Sequence, residues 1–142
     1  MHLYSVSFYR LVFRHLRPGG VMVTQATSPY FSKKAFWCII KTIREAGFTT
    51  LPYHNQIPTM GEWGWVLAVK ASDANEPALR KRILSEDFDG LKTKFLNTDA
   101  MISMLHFGKG LLDPNQIAKI NVNTQLNPIL HRYYRAGAWN LY

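Results

Sequence analysis

Acidic residues are scarce. Nine Asp and Glu stand against 17 Lys and Arg in 142 residues, for a formal net charge of +8. Most of the acids lie after position 70, so the first half has few carboxylates for acid–base work. Cysteine is almost missing. Cys38 is alone, which excludes an internal disulfide and fits a reducing compartment. Its neighbours Phe36, Trp37, Ile39 and Ile40 mark it as a small buried hydrophobe rather than a nucleophile. Long apolar runs are also missing. Ala35 to Ile40 and Trp63 to Val69 are the longest, far below the ~20 residues that span a bilayer. Arg10 and Arg14 break up the apolar N-terminus, so no secretory signal is legible and a cytoplasmic location is expected. There is no Gly-x-Gly-x-x-Gly loop, no internal repeat and no low-complexity tract.

What remains is ordinary globular material, 47% hydrophobic and 18% charged. The positive charge is scattered over Arg10, Arg14 and Arg17, then Lys33 and Lys34, then Arg80 to Arg82. None of these clusters is interleaved with aromatics, so specific nucleic-acid binding is not expected. The histidines show no metal-ligand spacing, and lone His54 reads as structural or surface. No metal site is expected.

The pattern along the chain predicts helix, strand, helix, strand, strand, then short helices. Residues 5–16 carry a helical face of Phe8, Leu11, Val12 and His15, ended by Pro18-Gly19-Gly20. Val21 to Gln25 reads as a strand buried between layers, being apolar on both sides. Ser32 is the expected N-cap of a helix to about Ala46, with Gly47 beyond it. Thr49 to Ile57 is a strand that Pro52 makes irregular or confines to an edge. Pro58 to Gly61 turns the chain into a third strand from Trp63 to Lys70, too soon for a crossover, so the pair is antiparallel. Helices are expected around Glu76 to Leu84, from Thr98 to Phe107 with Met101, Ile102 and Leu105 on one side, near Pro114, and from Pro128 to Ala136. In the last, Leu130, Tyr133 and Tyr134 face inward.

Four ordered stretches stand out: Leu3-Tyr4-Ser5 with Phe8-Tyr9; Leu16 to Val21 with Val23-Thr24-Gln25; Tyr53 to Trp65; and Val122-Asn123-Thr124 with Pro128-Ile129-Leu130 and Tyr133-Tyr134. Together they resemble the polyamine aminopropyltransferases, the spermidine synthase family, in its bacterial branch. Ser28-Pro29-Tyr30 and Gly61-Glu62-Trp63-Gly64 are similar to the members that carry membrane helices ahead of the synthase domain. The resemblance implies an α/β fold. Residues 1–71 are read as the C-terminal half of a class I methyltransferase-like, Rossmann-like sheet of about three strands with an antiparallel terminal hairpin, and residues 72–142 as a helical extension packed on it.

By the same resemblance, a diamine such as putrescine attacks the methylene beside the sulfonium of decarboxylated S-adenosylmethionine, and methylthioadenosine leaves. The family's cofactor loop, ribose-binding acid and catalytic Asp all precede the position matching Leu3. The base is therefore expected upstream of Met1, no catalytic residue is assigned, and the chain alone is expected to bind no cofactor and to be inactive. The implied substrate wall is Gln25, Pro58, Thr59, Met60, Glu62 and Trp63; Met60 replaces a tyrosine common in relatives. The Val21 strand becomes an edge, so a homo-oligomer or a separate N-terminal half is the expected partner. The alternatives are a non-catalytic interaction remnant, a methyltransferase-like protein with another acceptor, and a basic nucleic-acid-binding module.

Overall fold

The computed structural model of the chain describes residues 3–71, 73–111 and 113–137. In chain order they form α1 (Val6–His15), β1 (Val21–Gln25), α2 (Lys33–Glu45), β2 (Thr49–Ile57), β3 (Gly61–Val69), α3 (Glu76–Leu84), α4 (Thr98–Leu105), α5 (Pro114–Ala118) and α6 (Leu130–Arg135).

Ser5 caps α1, its hydroxyl accepting the Phe8 N–H at 3.2 Å. The Lys70 ammonium closes the other end by donating to the Phe13 and Leu16 carbonyls at 2.7 and 2.8 Å. That satisfies carbonyls a helix end leaves open, with a cation at the negative end of the dipole. The inner face of α1 is rotated from the expected stripe. Val6 and Tyr9 are buried, while Leu11 and His15 are exposed. An edge-to-face contact of Phe13 with Phe48, at 5.0 Å between ring centres, helps fix that rotation.

Helix α2 is the core of the molecule, with Ala35, Phe36, Trp37, Cys38, Ile39, Ile40, Thr42 and Ile43 all buried. Ser32 does not cap it; its hydroxyl is enclosed and makes no hydrogen bond. The entry turn is set by Ser28 instead, whose hydroxyl accepts from the Tyr30 and Phe31 N–H groups at 3.3 and 3.2 Å. Gly47 makes the helix exit at φ 108°, in the region glycine favours.

The strand order is β1-β3-β2, and β3 is antiparallel to both neighbours. The hairpin is as expected, and Pro52 sits on an edge strand, where its missing N–H is tolerated. Because β3 opposes each neighbour, β1 and β2 run in the same direction on either side of it, linked through α2. Ala68 and Val66, with Met22 beside them, pack into the cluster built by α1 and α2. Among the described residues the opposite face is covered only over β2 and β3, where Leu51, Tyr53 and Leu67 meet Ile83, Met101 and Leu105.

The expectation that β1 is buried between layers is therefore corrected. Val21 and Val23 are 52% and 53% exposed, and Gln25 is exposed with them. They share the face of Leu67, which α3 and α4 cover over β2 and β3 but not over β1, and they lie at an edge with no strand beyond it among the described residues.

Further details differ from the pattern. Asn97, not Thr98, caps α4, accepting the Ala100 N–H at 2.7 Å, and that helix stops at Leu105 with Ile102 exposed. Thr98 accepts the Phe88 N–H instead. Helix α6 starts at Leu130 rather than Pro128, because the Ile129 N–H bonds Asn127 and the Leu130 N–H bonds Asn123. Leu130 and Tyr133 pack inward, but Tyr134 is exposed.

Candidate functional site

Gln25 is the last residue of β1, at the carboxyl end where ligands bind in open α/β sheets. Just past it the ladder continues. The Ala26 N–H donates to the Gly64 carbonyl and the Gly64 N–H to the Thr27 carbonyl, each at 2.7 Å. A Cβ at Gly64 would lie 2.5 and 2.7 Å from Phe36 ring carbons and 2.8 Å from the Thr27 oxygen. Only glycine permits this approach of β3 to α2 and to the end of β1. It brings Gln25 and Trp63, from adjacent strands, to the wall of one cavity of about 550 Å³.

Tyr4, Thr27 and Ile39 form more of that wall. The far end of the chain supplies the rest through Asn123, Leu130, His131 and Tyr134. Two features mark the site as built rather than incidental. Among the described residues, Tyr4 at φ 62° and Thr27 at φ 61° are the non-glycine positions in the left-handed region, and both border this cavity. A side chain there costs about 1–3 kcal/mol and persists only where surroundings hold it. Thr27 also buries a hydroxyl oxygen with no hydrogen-bond partner, which costs a further ~1–3 kcal/mol. Strain of this kind concentrates at ligand sites.

Asn123 is the junction that holds the two halves of the wall. Its N–H donates to the Thr42 hydroxyl at 2.9 Å, and its carbonyl accepts from the Val6 N–H at 3.0 Å. Its side-chain amide donates to the strained Tyr4 carbonyl at 3.0 Å and accepts the Leu130 N–H at 3.2 Å. One buried residue thereby ties α1, α2 and α6 to the segment that carries Tyr4.

The residues expected from the sequence divide into three groups. Gln25 and Trp63 are brought together at the cavity. Pro58, Thr59 and Met60 form the exposed tip of the β2–β3 hairpin and are not part of that wall. Glu62 faces elsewhere: its carboxylate accepts from His54 Nδ1 at 2.7 Å, while His54 Nε2 lies 2.6 Å from the His106 carbonyl. The Phe107 ring packs on that imidazole at 4.5 Å. This cluster straps the hairpin to the chain beyond α4.

Sequence reading missed Tyr4, Thr27, Asn123, Leu130, His131 and Tyr134. Several of them lie in stretches that carried the resemblance, but nothing in a linear pattern placed residue 4 beside residue 123.

The chemistry of the wall is that of binding and orientation. Its lining brings together the Gln25 amide, the Tyr4 phenol, the Trp63 indole and the His131 imidazole, while the Asn123 amide is spent on Tyr4 and Leu130. No Asp or Glu lies on it among the described residues. Burial pushes the Cys38 thiol up to about 11, despite the nearby Lys41 cation, so it is not a nucleophile at neutral pH. Burial also drives the Tyr9 phenol well above its usual range. No group of three or more His, Cys, Asp or Glu is arranged for a metal among the described residues, and none of their helices is long and apolar enough to cross a membrane.

A cavity at the carboxyl end of a strand, beside an antiparallel terminal hairpin with a helix beneath, is the arrangement of a methyltransferase-like α/β domain. Spermidine synthase from Thermotoga maritima shares the fold, with a TM-score of 0.58 at 18% identity over 75% of this chain and 36% of that one. The chain belongs to the spermine/spermidine synthase domain family, which matches residues 1–82. Polyamine aminopropyltransferase 2 of Ralstonia nicotianae is 38% identical over 132 residues, which is 93% of this chain and 24% of that protein. The polyamine aminopropyltransferase of Mycobacterium tuberculosis is 53% identical over 77 residues, 54% of this chain and 15% of the relative. The chain thus spans about a quarter or less of the length of the curated relatives it matches.

Proposed function

We propose that this chain supplies one wall of the amine-substrate site of an aminopropyltransferase that uses decarboxylated S-adenosylmethionine. The observation that carries the reading is the convergence of Gln25 and Trp63 on the cavity whose rim also holds the strained Tyr4 and Thr27. Trp63 and Tyr4 give aromatic surface for an aliphatic amine, and the Gln25 amide orients its nitrogen. In the transfer, that nitrogen attacks the methylene beside the sulfonium, the carbon–sulfur bond breaks, and methylthioadenosine leaves with the sulfur's electron pair. A sulfonium is a good leaving group, so alignment and removal of the amine proton are the main demands.

Among the described residues the wall presents no carboxylate to take that proton. The base and the nucleoside loop accordingly come from the part of the family fold outside these residues, in the same or a separate polypeptide. The hairpin tip of Pro58, Thr59 and Met60, with Glu62 beside it, is then an outer rim that a longer amine reaches rather than the inner wall. The acceptor is a diamine. The uncovered β1 edge takes up the missing part of the sheet or, without it, a second copy.

The test is methylthioadenosine formation from putrescine and decarboxylated S-adenosylmethionine. The chain alone should give none; addition of the family's N-terminal half should restore it, and Gln25→Ala should lower the restored rate. Turnover by the isolated chain would overturn the incomplete-site reading. Restored turnover indifferent to Gln25 would remove the assigned wall.

A further inference from the structure

The family model's match ends at residue 82, although whole relatives align over more of the chain, and the cavity also reaches past it. Leu130, His131 and Tyr134 come from α6, almost fifty residues beyond it, and face the same space as Gln25 and Trp63. We propose that the segment from Asn123 to Tyr134 is the specificity wall of the site, setting which length of diamine the cavity accepts. This rests on the amine-site reading above.

Three observations support it. The segment is rigidly placed, because Asn123 uses its backbone and side-chain groups alike to join Thr42, Val6, Tyr4 and Leu130. One of those bonds holds the strained Tyr4 backbone, so the segment helps fix the opposite wall as well. Its residues also combine what an aliphatic amine needs. Leu130 offers an apolar side chain, His131 an exposed imidazole, and both project from α6 toward the strand end. A segment that only covered the core would need none of these on the cavity. Removing apolar bulk from such a wall changes discrimination between homologues differing by methylenes by about tenfold.

The experiment titrates the chain with α,ω-diamines from 1,4-diaminobutane to 1,8-diaminooctane, following binding by ligand-observed NMR. The variants are Leu130→Ala and His131→Ala, with Arg135→Ala as a control on α6 away from the cavity and Gln25→Ala as a control for the site itself. Leu130→Ala or His131→Ala should shift the long-over-short affinity ratio by about tenfold, and Arg135→Ala should not. Should Leu130→Ala fail to fold, the exposed His131 decides. If Gln25→Ala weakens every diamine while the ratio stays constant in the α6 variants, the specificity wall is refuted and the site survives. If the wild-type chain binds no diamine, the site reading falls and this inference with it.

Discussion

Gly64→Ala is the substitution in which fold and site meet. The added Cβ would lie 2.5 Å from one Phe36 ring carbon, 2.7 Å from another and 2.8 Å from the Thr27 carbonyl oxygen. Contacts this short are not relieved by a flexible side-chain tip, since Phe36 is buried in the core and the Thr27 oxygen is backbone. Overpacking of this kind costs about 1–3 kcal/mol. If β3 moves away, the two 2.7 Å bonds that join Gly64 to Ala26 and Thr27 weaken as well, at about 1 kcal/mol each. Loss of glycine freedom in the unfolded chain returns about 0.5–1 kcal/mol. The net expectation is a destabilisation of about 2–4 kcal/mol, read as a lower urea midpoint at unchanged slope. Gly90→Ala is the control: no atom lies within 4 Å of its would-be Cβ, so its effect should stay within about 0.5 kcal/mol. Phe36→Leu should cost less in the Gly64→Ala background than alone, with a coupling of about 1 kcal/mol. A neutral Gly64→Ala, or strict additivity with Phe36→Leu, would refute the close-approach argument.

Asn123→Ala strands the Tyr4 carbonyl and the Leu130 N–H, so it should destabilise by about 2–3 kcal/mol and raise amide exchange in α6, measured by hydrogen–deuterium exchange. The folded Cys38 thiol titrates at about 11, above its ordinary 9.0, so the folded state holds that proton more tightly. Its contribution is intact below pH 9 and is lost as pH rises through about 11, a fall of roughly 2–3 kcal/mol that Cys38→Ala should remove from the alkaline limb of a stability–pH profile. Val23→Lys places a charge at the uncovered β1 edge; it should lower self-association in light scattering while changing the unfolding free energy by no more than about 0.5 kcal/mol.

Local signals carried the element order well. Val21–Gln25 and Thr49–Ile57 have the expected bounds because Pro18-Gly19-Gly20, Gly47 and Pro58 punctuate them strongly. The caps were less legible: Asn97 and Thr98 are adjacent cap formers, and only the fold decides which one turns inward. The burial of β1 was misjudged for a different reason. Val21 and Val23 are apolar as in an inner strand, but their exposure depends on what lies beside the sheet, which no local pattern encodes.

At the site, Gln25 and Trp63 were reachable because each sits at a strand end within a recognisable stretch. The second wall was not, since Asn123 and Leu130 meet Tyr4 across more than a hundred residues. Glu62, expected on the substrate wall, instead bonds His54, which is held in turn at the carbonyl of His106 by a long-range contact that no local pattern shows.

The central claim is that Gln25 and Trp63 face a diamine in one cavity closed by α6. The most direct measurement is the backbone and side-chain amide NMR spectrum of the chain titrated with 1,4-diaminobutane. The account predicts saturable shifts clustered at Gln25, Thr27, the Trp63 indole and His131, with the β2–β3 tip unmoved by this short amine. Shifts confined to Thr59 through Glu62, or no saturable shift at all, would contradict it.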